Sequence, residues 1–382
     1  MTTARFRPLL FYCLSFVFLA FPALSSSADS PYEWTDIERI IVIGDLHGDY
    51  ENFVKILKGT RVVDRDLHWV AGQVHLVQTG DIMDRGPDPR KIFDLLLRLE
   101  KEAEAAGGKV HVLLGNHEEM NLTGIVFSSS PDTVTLDQFI SFLPETYRKQ
   151  QEDALAKRIF KHRSRDRNLR PENVINAFWD SLRNTPSAQR QYVINLNDEY
   201  GDWLRRLNVA IKINDIIFVH GGISEKYSRW GLREINDRYR LELADNWRAY
   251  RWMEQPRIVQ PSVLYRGDSP LWYRELATVP EEDLKEELDQ TLDNLGAKTM
   301  IIAHTPKIVK TPGEMQRFGG KVWIVDTGIS RAYGGNAVAL IIQNGYFNVW
   351  GLKDEDSDKS ESLLSCLPRP RLEHLCPAPD AR

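Results

Sequence analysis

Asp45 and His47 stand two residues apart in Gly44-Asp45-Leu46-His47-Gly48. In extended chain such a pair points the same way, and one anionic oxygen with one imidazole nitrogen makes half of a metal site. The flanking glycines let the backbone turn tightly around them. Asp81 opens a second loop, Gly80-Asp81-Ile82-Met83-Asp84-Arg85-Gly86. A carboxylate placed between two ions can bridge them, which is how two metals come to lie about 3.5–4 Å apart. Gly115-Asn116-His117-Glu118, Val219-His220-Gly221-Gly222 and Ala303-His304-Thr305-Pro306 follow in order. Asn116, His220 and His304 are neutral ligands suited to a second ion. Four of the nine histidines fall inside these motifs, whereas His68, His75, His111, His162 and His374 have no such company and read as structural or surface residues.

Gly-Asp-x-His-Gly, Gly-Asp-x-x-Asp-Arg-Gly and Gly-Asn-His-Glu resemble the signature of the phosphoprotein phosphatases within the calcineurin-like metallophosphoesterases. His-Gly-Gly and the later Ala-His extend the likeness from about Ile40 to about Val349. The resemblance implies Asp45, His47 and Asp81 on a first ion, and Asp81, Asn116, His220 and His304 on a second. It implies His117 as the general acid, held by Asp84, and Arg85 as the grip on phosphate.

Those roles are chemically sensible. Two cations make hydroxide from a shared water at neutral pH and neutralise phosphoryl oxygens. The leaving oxygen still needs a proton, and histidine is the side chain poised to give one. An aspartate on its other nitrogen would fix the tautomer and favour the imidazolium. Arginine offers a planar fork for two phosphate oxygens. The sequence shows no Gly-x-Ser-x-Gly, no Gly-rich loop ending in Lys and no Cys near the motifs, so no covalent nucleophile is evident.

The eukaryotic serine/threonine enzymes carry a second phosphate-gripping Arg in Asn-Asp-Arg-Gly and a Ser-Ala-Pro-Asn-Tyr segment. Here Leu264 to Arg274 and Val325 to Ser330 stand in their places. Those stretches resemble the bacterial-type, Shewanella-like phosphatases and, more distantly, the diadenosine tetraphosphate hydrolases. The second phosphate contact is then Arg274 or Arg266. Phosphoprotein is the substrate class implied, with a nucleotide or dinucleoside polyphosphate as the alternative. A metal-binding scaffold without catalysis is the reading from another class, and an intact His117, Asp84 and Arg85 argues against it.

The elements must bring these loops together. Ile40–Ile43, Val74–Gln78 and Val110–Leu114 read as buried strands, separated by helices over Asp49–Lys58 and from Asp88-Pro89 to about Gly107. That order means right-handed parallel crossovers, which place strand-end loops on one edge. Val209–Val219 reads as a hairpin turning at Asn214-Asp215. Thr299–Ala303, Val322–Val325 and Ala337–Gln343 are expected to complete a second sheet. Two polar, mostly helical insertions, about 121–206 and 224–297, follow metal-bearing loops and should form a rim. The expected fold is an α/β, four-layered α/β/β/α sandwich with two mixed sheets over residues 29–352.

The chain has 382 residues, 42% of them hydrophobic, enough for one large core. Its formal net charge of −5 speaks against a nucleic-acid partner. The basic run Lys157 to Arg170 is a solvated face or a substrate-steering patch. Arg5 and Arg7 precede an apolar run from Leu9 to Ala20, then Ser26-Ser27-Ala28. Residues 1–28 therefore read as a signal peptide, with export through the secretory route and no membrane span once it is cleaved. Cys366 and Cys376, in a tail beyond the charged linker from residue 353, then read as one disulfide. The ligand set suits two divalent or trivalent ions, Mn, Fe or Zn.

Overall fold

A computed structural model describes residues 31–163, 171–254 and 262–352. The expected signal peptide, the tail with Cys366 and Cys376, and residues 164–170 of the basic run lie outside the described residues. Eleven strands form two sheets. They are β1 (Glu33–Trp34), β2 (Arg39–Ile43), β3 (His75–Gln78), β4 (Lys109–Val112), β5 (Ala210–Ile213), β6 (Ile216–Val219), β7 (Thr299–Ile302), β8 (Gln316–Arg317), β9 (Val322–Ile324), β10 (Ala339–Gln343) and β11 (Tyr346–Trp350). The five-stranded sheet runs β11-β10-β2-β3-β4 and the six-stranded sheet β1-β5-β6-β7-β9-β8. Both are mixed: β2, β3 and β4 are parallel with β10 antiparallel, while β6, β7 and β9 are parallel with β5 and β8 antiparallel.

Alternation along each strand builds the layers. Ile40 and Val42 of β2 join Ile216 and Phe218 of β6, Ile301 of β7 and Leu340 and Ile342 of β10 in a core between the sheets. Their neighbours Ile41, Ile43, Ile217, Val219 and Met300 face outward into a second apolar cluster with the helices. There α1 (Tyr50–Gly59) contributes Phe53, Ile56 and Leu57, and α2 (Pro89–Ala105) contributes Ile92, Leu95, Leu96 and Leu99. The expected four-layered sandwich is the observed one. Both polar stretches are largely helical, the longest helices being Glu145–Arg163 in the first and Gly231–Trp252 in the second.

Three expectations change. Ala337–Gln343 does not belong with the second sheet: β10 pairs antiparallel with β2, Leu340 opposite Val42, in the first. An apolar strand carries no mark of which sheet takes it when both of its faces are buried. Its hairpin partner β11 is absent from the sequence reading, although Asn344 and Gly345, at φ 50° and 80°, make the tight turn that Asn-Gly signals. Asp88 precedes α2 but makes no side-chain capping bond; its carboxylate pairs with Lys91 instead. In contrast, Asp49 does cap α1, accepting from Asn52 N at 3.0 Å.

His75 and His111 meet between the sheets, Nδ1 of one 3.0 Å from Nε2 of the other, with Trp34 edge-on to His111 at 4.3 Å. Burial pulls His75 down to about 4, with Lys109 adding to it, and takes His111 well below the usual histidine range. Among the described residues no helix is long and apolar enough to cross a membrane.

Candidate active site

The loops after β2, β3, β4, β6 and β7 converge, and every motif side chain expected to bind metal is buried. His47, Asp81, Asp84, Arg85 and His304 have φ between 42 and 70°. Such backbone costs on the order of 1–3 kcal/mol per residue unless its surroundings hold it. Glu118 supplies much of that hold. Its two oxygens accept from the backbone N–H of Gly115, Asp81, Ile82 and Met83 at 2.9–3.0 Å. Gly115 can only be glycine: a Cβ there would lie 2.2 Å from Asp81 N and 2.3 Å from its Oδ1. Gly44 is equally confined, 2.1 Å from the Val325 carbonyl oxygen.

Two donor groups result, His47–Asp81–His117 and Asp81–His220–His304, each with its ligand atoms within 4.8 Å of one another. Asp81 belongs to both. His47 Nδ1 is 2.9 Å from the Met83 carbonyl and His220 Nδ1 is 3.0 Å from the Thr79 carbonyl. Each carbonyl takes an Nδ1 proton and leaves Nε2 bare for the centre, the usual way a second group orients a metal-binding imidazole. His220 Nε2 lies 3.3 Å from Asp81 Oδ1, 2.9 Å from Asn116 Oδ1 and 3.2 Å from His304 Nδ1.

The charges fit a cation. Asp45 Oδ1 and His304 Nε2 are buried with no hydrogen-bond partner. Burial, then the nearby Asp326 and Asp81 carboxylates, push Asp45 well above the carboxylate range, and burial takes Asp326 to about 6. Burial works against the charge on Asp81 too, but His220, His117 and His47 around it hold it well below its usual value. Three buried carboxylates, two of them starved of positive charge, would be compensated by a metal cation beside them. The oxygen and imidazole donor set suits hard or borderline ions.

Beside this centre, His117 Nδ1 is 2.5 Å from Asp84 Oδ2. Asp84 is held in turn by Asn121 Nδ2 at 2.9 Å and Gln138 Nε2 at 2.8 Å, and its own N–H donates to Gln138 Oε1. Burial disfavours charge on His117, yet Asp81 and the bond to Asp84 outweigh it, and its pKa is raised. Arg85 Nη1 lies 2.7 Å from His117 Nε2 and 2.8 Å from His47 Nε2. The ring of Tyr333 lies 5.1 Å from the Arg85 guanidinium carbon.

Residues 38–307 match the profile of the Calcineurin-like phosphoesterase family. The chain belongs to that family. This phosphoesterase is 28% identical to Shewanella-like protein phosphatase 1 of Plasmodium berghei, over 76% of this chain and 67% of the relative. It is 26% identical to Shewanella-like protein phosphatase 2 of Arabidopsis thaliana, over 84% of this chain and 78% of the relative. Among solved structures, the cold-active protein-tyrosine phosphatase of a psychrophilic Shewanella species superposes with a TM-score of 0.58 at 26% identity, covering 85% of this chain and 83% of that one. The phosphoesterase is thus a metal-dependent hydrolase with the sandwich fold of its relatives.

The two arginines offered for a second phosphate contact are placed differently. Arg274 Nη1 donates to the His304 carbonyl at 2.6 Å and to Thr305 Oγ1 at 3.1 Å, at the edge of the centre. Arg266 is turned to Asp268, Nε to Oδ1 at 3.0 Å. Asp326, Gln138, Asn121, Glu119 and Tyr333 are neighbours of the centre that motif reading did not assign, and Glu118 was quoted in its motif without a role. Asp326 had a signal, being an acid directly after a buried strand and before a Gly turn, like Asp45 and Asp81. Gln138 had none, since it reaches Asp84 from an insertion helix (Leu136–Ser141).

Proposed function

We propose that this phosphoesterase is an exported protein phosphatase that hydrolyses phosphorylated side chains of proteins or peptides with two bound ions of Mn, Fe or Zn. The observation that carries the reading is the sharing of Asp81 by two buried donor groups, one of which contains His117, itself paired with Asp84. Asp45, His47 and Asp81 would hold one ion, and Asp81, Asn116, His220 and His304 the other. When bound, the ions supply a hydroxide at neutral pH and positive charge for the phosphoryl oxygens.

The chain's own residues do the rest. Arg85 has its guanidinium between His47 and His117, where its fork takes two phosphate oxygens and turns the ester oxygen toward His117. His117 donates a proton from Nε2 to that oxygen as the bond breaks, and Asp84 stabilises the charge on the ring through Nδ1. Arg274, with one nitrogen tied to the His304 carbonyl, is the better placed of the two arginines for a further oxygen.

The phosphoprotein substrate is supported by the relatives, two of them protein phosphatases by name and the third a protein-tyrosine phosphatase. Export is supported by the basic, apolar and small-residue order of the first 28 residues. The test is a competition assay on one preparation, with phosphoserine, phosphothreonine and phosphotyrosine peptides against dinucleoside polyphosphates and mononucleotides. Peptides are expected to show the higher kcat/KM, because flanking residues add binding energy at the rim. A clear preference for the dinucleotides would transfer the assignment to them. No turnover with any metal would leave a binding scaffold.

A further inference from the structure

Asn116, His220 and His304 come from three separate elements, and one segment touches all three. That segment, residues 265–274, lies within the second insertion. The Pro270 carbonyl accepts from Gly221 N at 2.9 Å and Gly222 N at 3.1 Å, the two residues after His220. A Cβ on Gly221 would lie 2.7 Å from that oxygen, so the approach is as close as a backbone permits. Trp272 stands edge-on to the His304 ring at 5.9 Å, and Arg274 holds the His304 carbonyl at 2.6 Å. Only the helix that begins at Asn116 remains to be tied in, and Glu119 ties it. Glu119 is wholly buried; its Oε1 accepts from Tyr265 N at 3.0 Å and its Oε2 from Trp272 Nε1 at 2.6 Å.

We infer that Glu119 is a positioning residue for the second ion. By fixing Trp272 and Tyr265 to the helix that carries Asn116, it sets the distance between that amide and the two imidazoles the same segment braces. It touches neither substrate nor the first ion's half of the site, where His47 is oriented by Met83 and Asp81 by Glu118. Partners one step behind a ligand typically tune metal affinity by about 10–100-fold. The inference rests on the two-ion reading above.

The test is calorimetric titration of the metal-stripped full chain with Mn²⁺, with bound metal counted by elemental analysis. Glu119→Gln keeps the volume but offers an amide N–H where one donor needs an acceptor. Trp272→Phe removes the indole N–H together with part of the ring, keeps an aromatic face toward His304, and serves if the first variant folds poorly. His304→Ala and Asp45→Asn identify which binding step belongs to which ion. The expected result is two steps in the parent chain. In both variants the step abolished by His304→Ala should weaken about 10–100-fold, with the Asp45-dependent step unchanged, and excess Mn²⁺ should restore kcat without a change in KM. Unchanged isotherms, equal weakening of both steps, or weakening of the Asp45-dependent step would overturn it. Fewer than two steps in the parent chain would overturn the two-ion reading itself, a result visible before any variant is compared.

Discussion

Asp84→Asn isolates the proton donor from everything around it. Asp84 sits at φ 70°, a left-handed conformation that asparagine also tolerates, so the backbone turn into Arg85 is preserved. The carboxylate receives three side-chain donors, His117 Nδ1 at 2.5 Å, Asn121 Nδ2 at 2.9 Å and Gln138 Nε2 at 2.8 Å. An amide in its place presents N–H to one of them whichever way it turns, costing about 1–3 kcal/mol of stability. It also withdraws the negative charge that supports an imidazolium on His117. A positioned general acid contributes about 10²–10⁴ in rate, or roughly 3–5 kcal/mol of barrier. The effect must depend on the leaving group, because an alkoxide needs the proton and a nitrophenolate hardly does. The assay is kcat on a phosphoserine peptide and on nitrophenyl phosphate, with bound metal counted alongside. We expect a loss of about 10²–10⁴-fold on the peptide, less than about tenfold on the aryl ester, and unchanged metal. Equal losses on the two substrates, or full activity on phosphoserine, would show that His117 is not the acid.

Asp81→Asn, by contrast, should abolish turnover and lower metal content together, since both donor groups contain Asp81; elemental analysis of the purified variant checks it. Glu118→Gln replaces one oxygen that faces backbone N–H groups of the Asp81 loop, so denaturant unfolding should show a loss of about 1–3 kcal/mol. His75 is held neutral in the fold at about 4, below its unfolded value of about 6.5, so stability is full at neutral pH and lost as pH falls through that window. Unfolding at pH 5 should cost roughly 2 kcal/mol less than at pH 7 on account of His75, with buried His111 acting in the same direction; His75→Gln should shrink the difference, and a flat profile in the parent chain would refute it.

The centre was legible because its chemistry is written in short, local words. Asp45 with His47, and Asp81 with Asp84 and Arg85, are spaced by a few residues, and the strands before them are uniformly apolar. Strands apolar on both faces point to sheets covered on both sides, and the resemblance supplied the number of layers. What escaped was long-range. The place of β10 depends on a pairing with β2, and Gln138, Asn121 and Asp84 form a network only once an insertion helix folds back. Glu119 reads as an ordinary helical glutamate until Trp272, more than a hundred residues on, is brought to it. Asp88 shows the opposite failure, a residue of the right type in the capping position that finds a lysine instead.

The pairing of Leu340 with Val42 has a consequence for how the protein is made. The strand that leads into Asp45, β2, leaves the ribosome early, but its neighbour on one side is synthesised about 300 residues later, some 15–60 s at ordinary elongation rates. Until then β2 has an open edge, and for most of that time His304 has not been made and the donor group Asp81–His220–His304 is incomplete. Nascent chain is therefore hydrolytically silent through nearly all of its synthesis, and activity arrives with the last strands. A chain threaded unfolded across a membrane would share that delay, so phosphate chemistry would begin only in the compartment where β10 reaches β2.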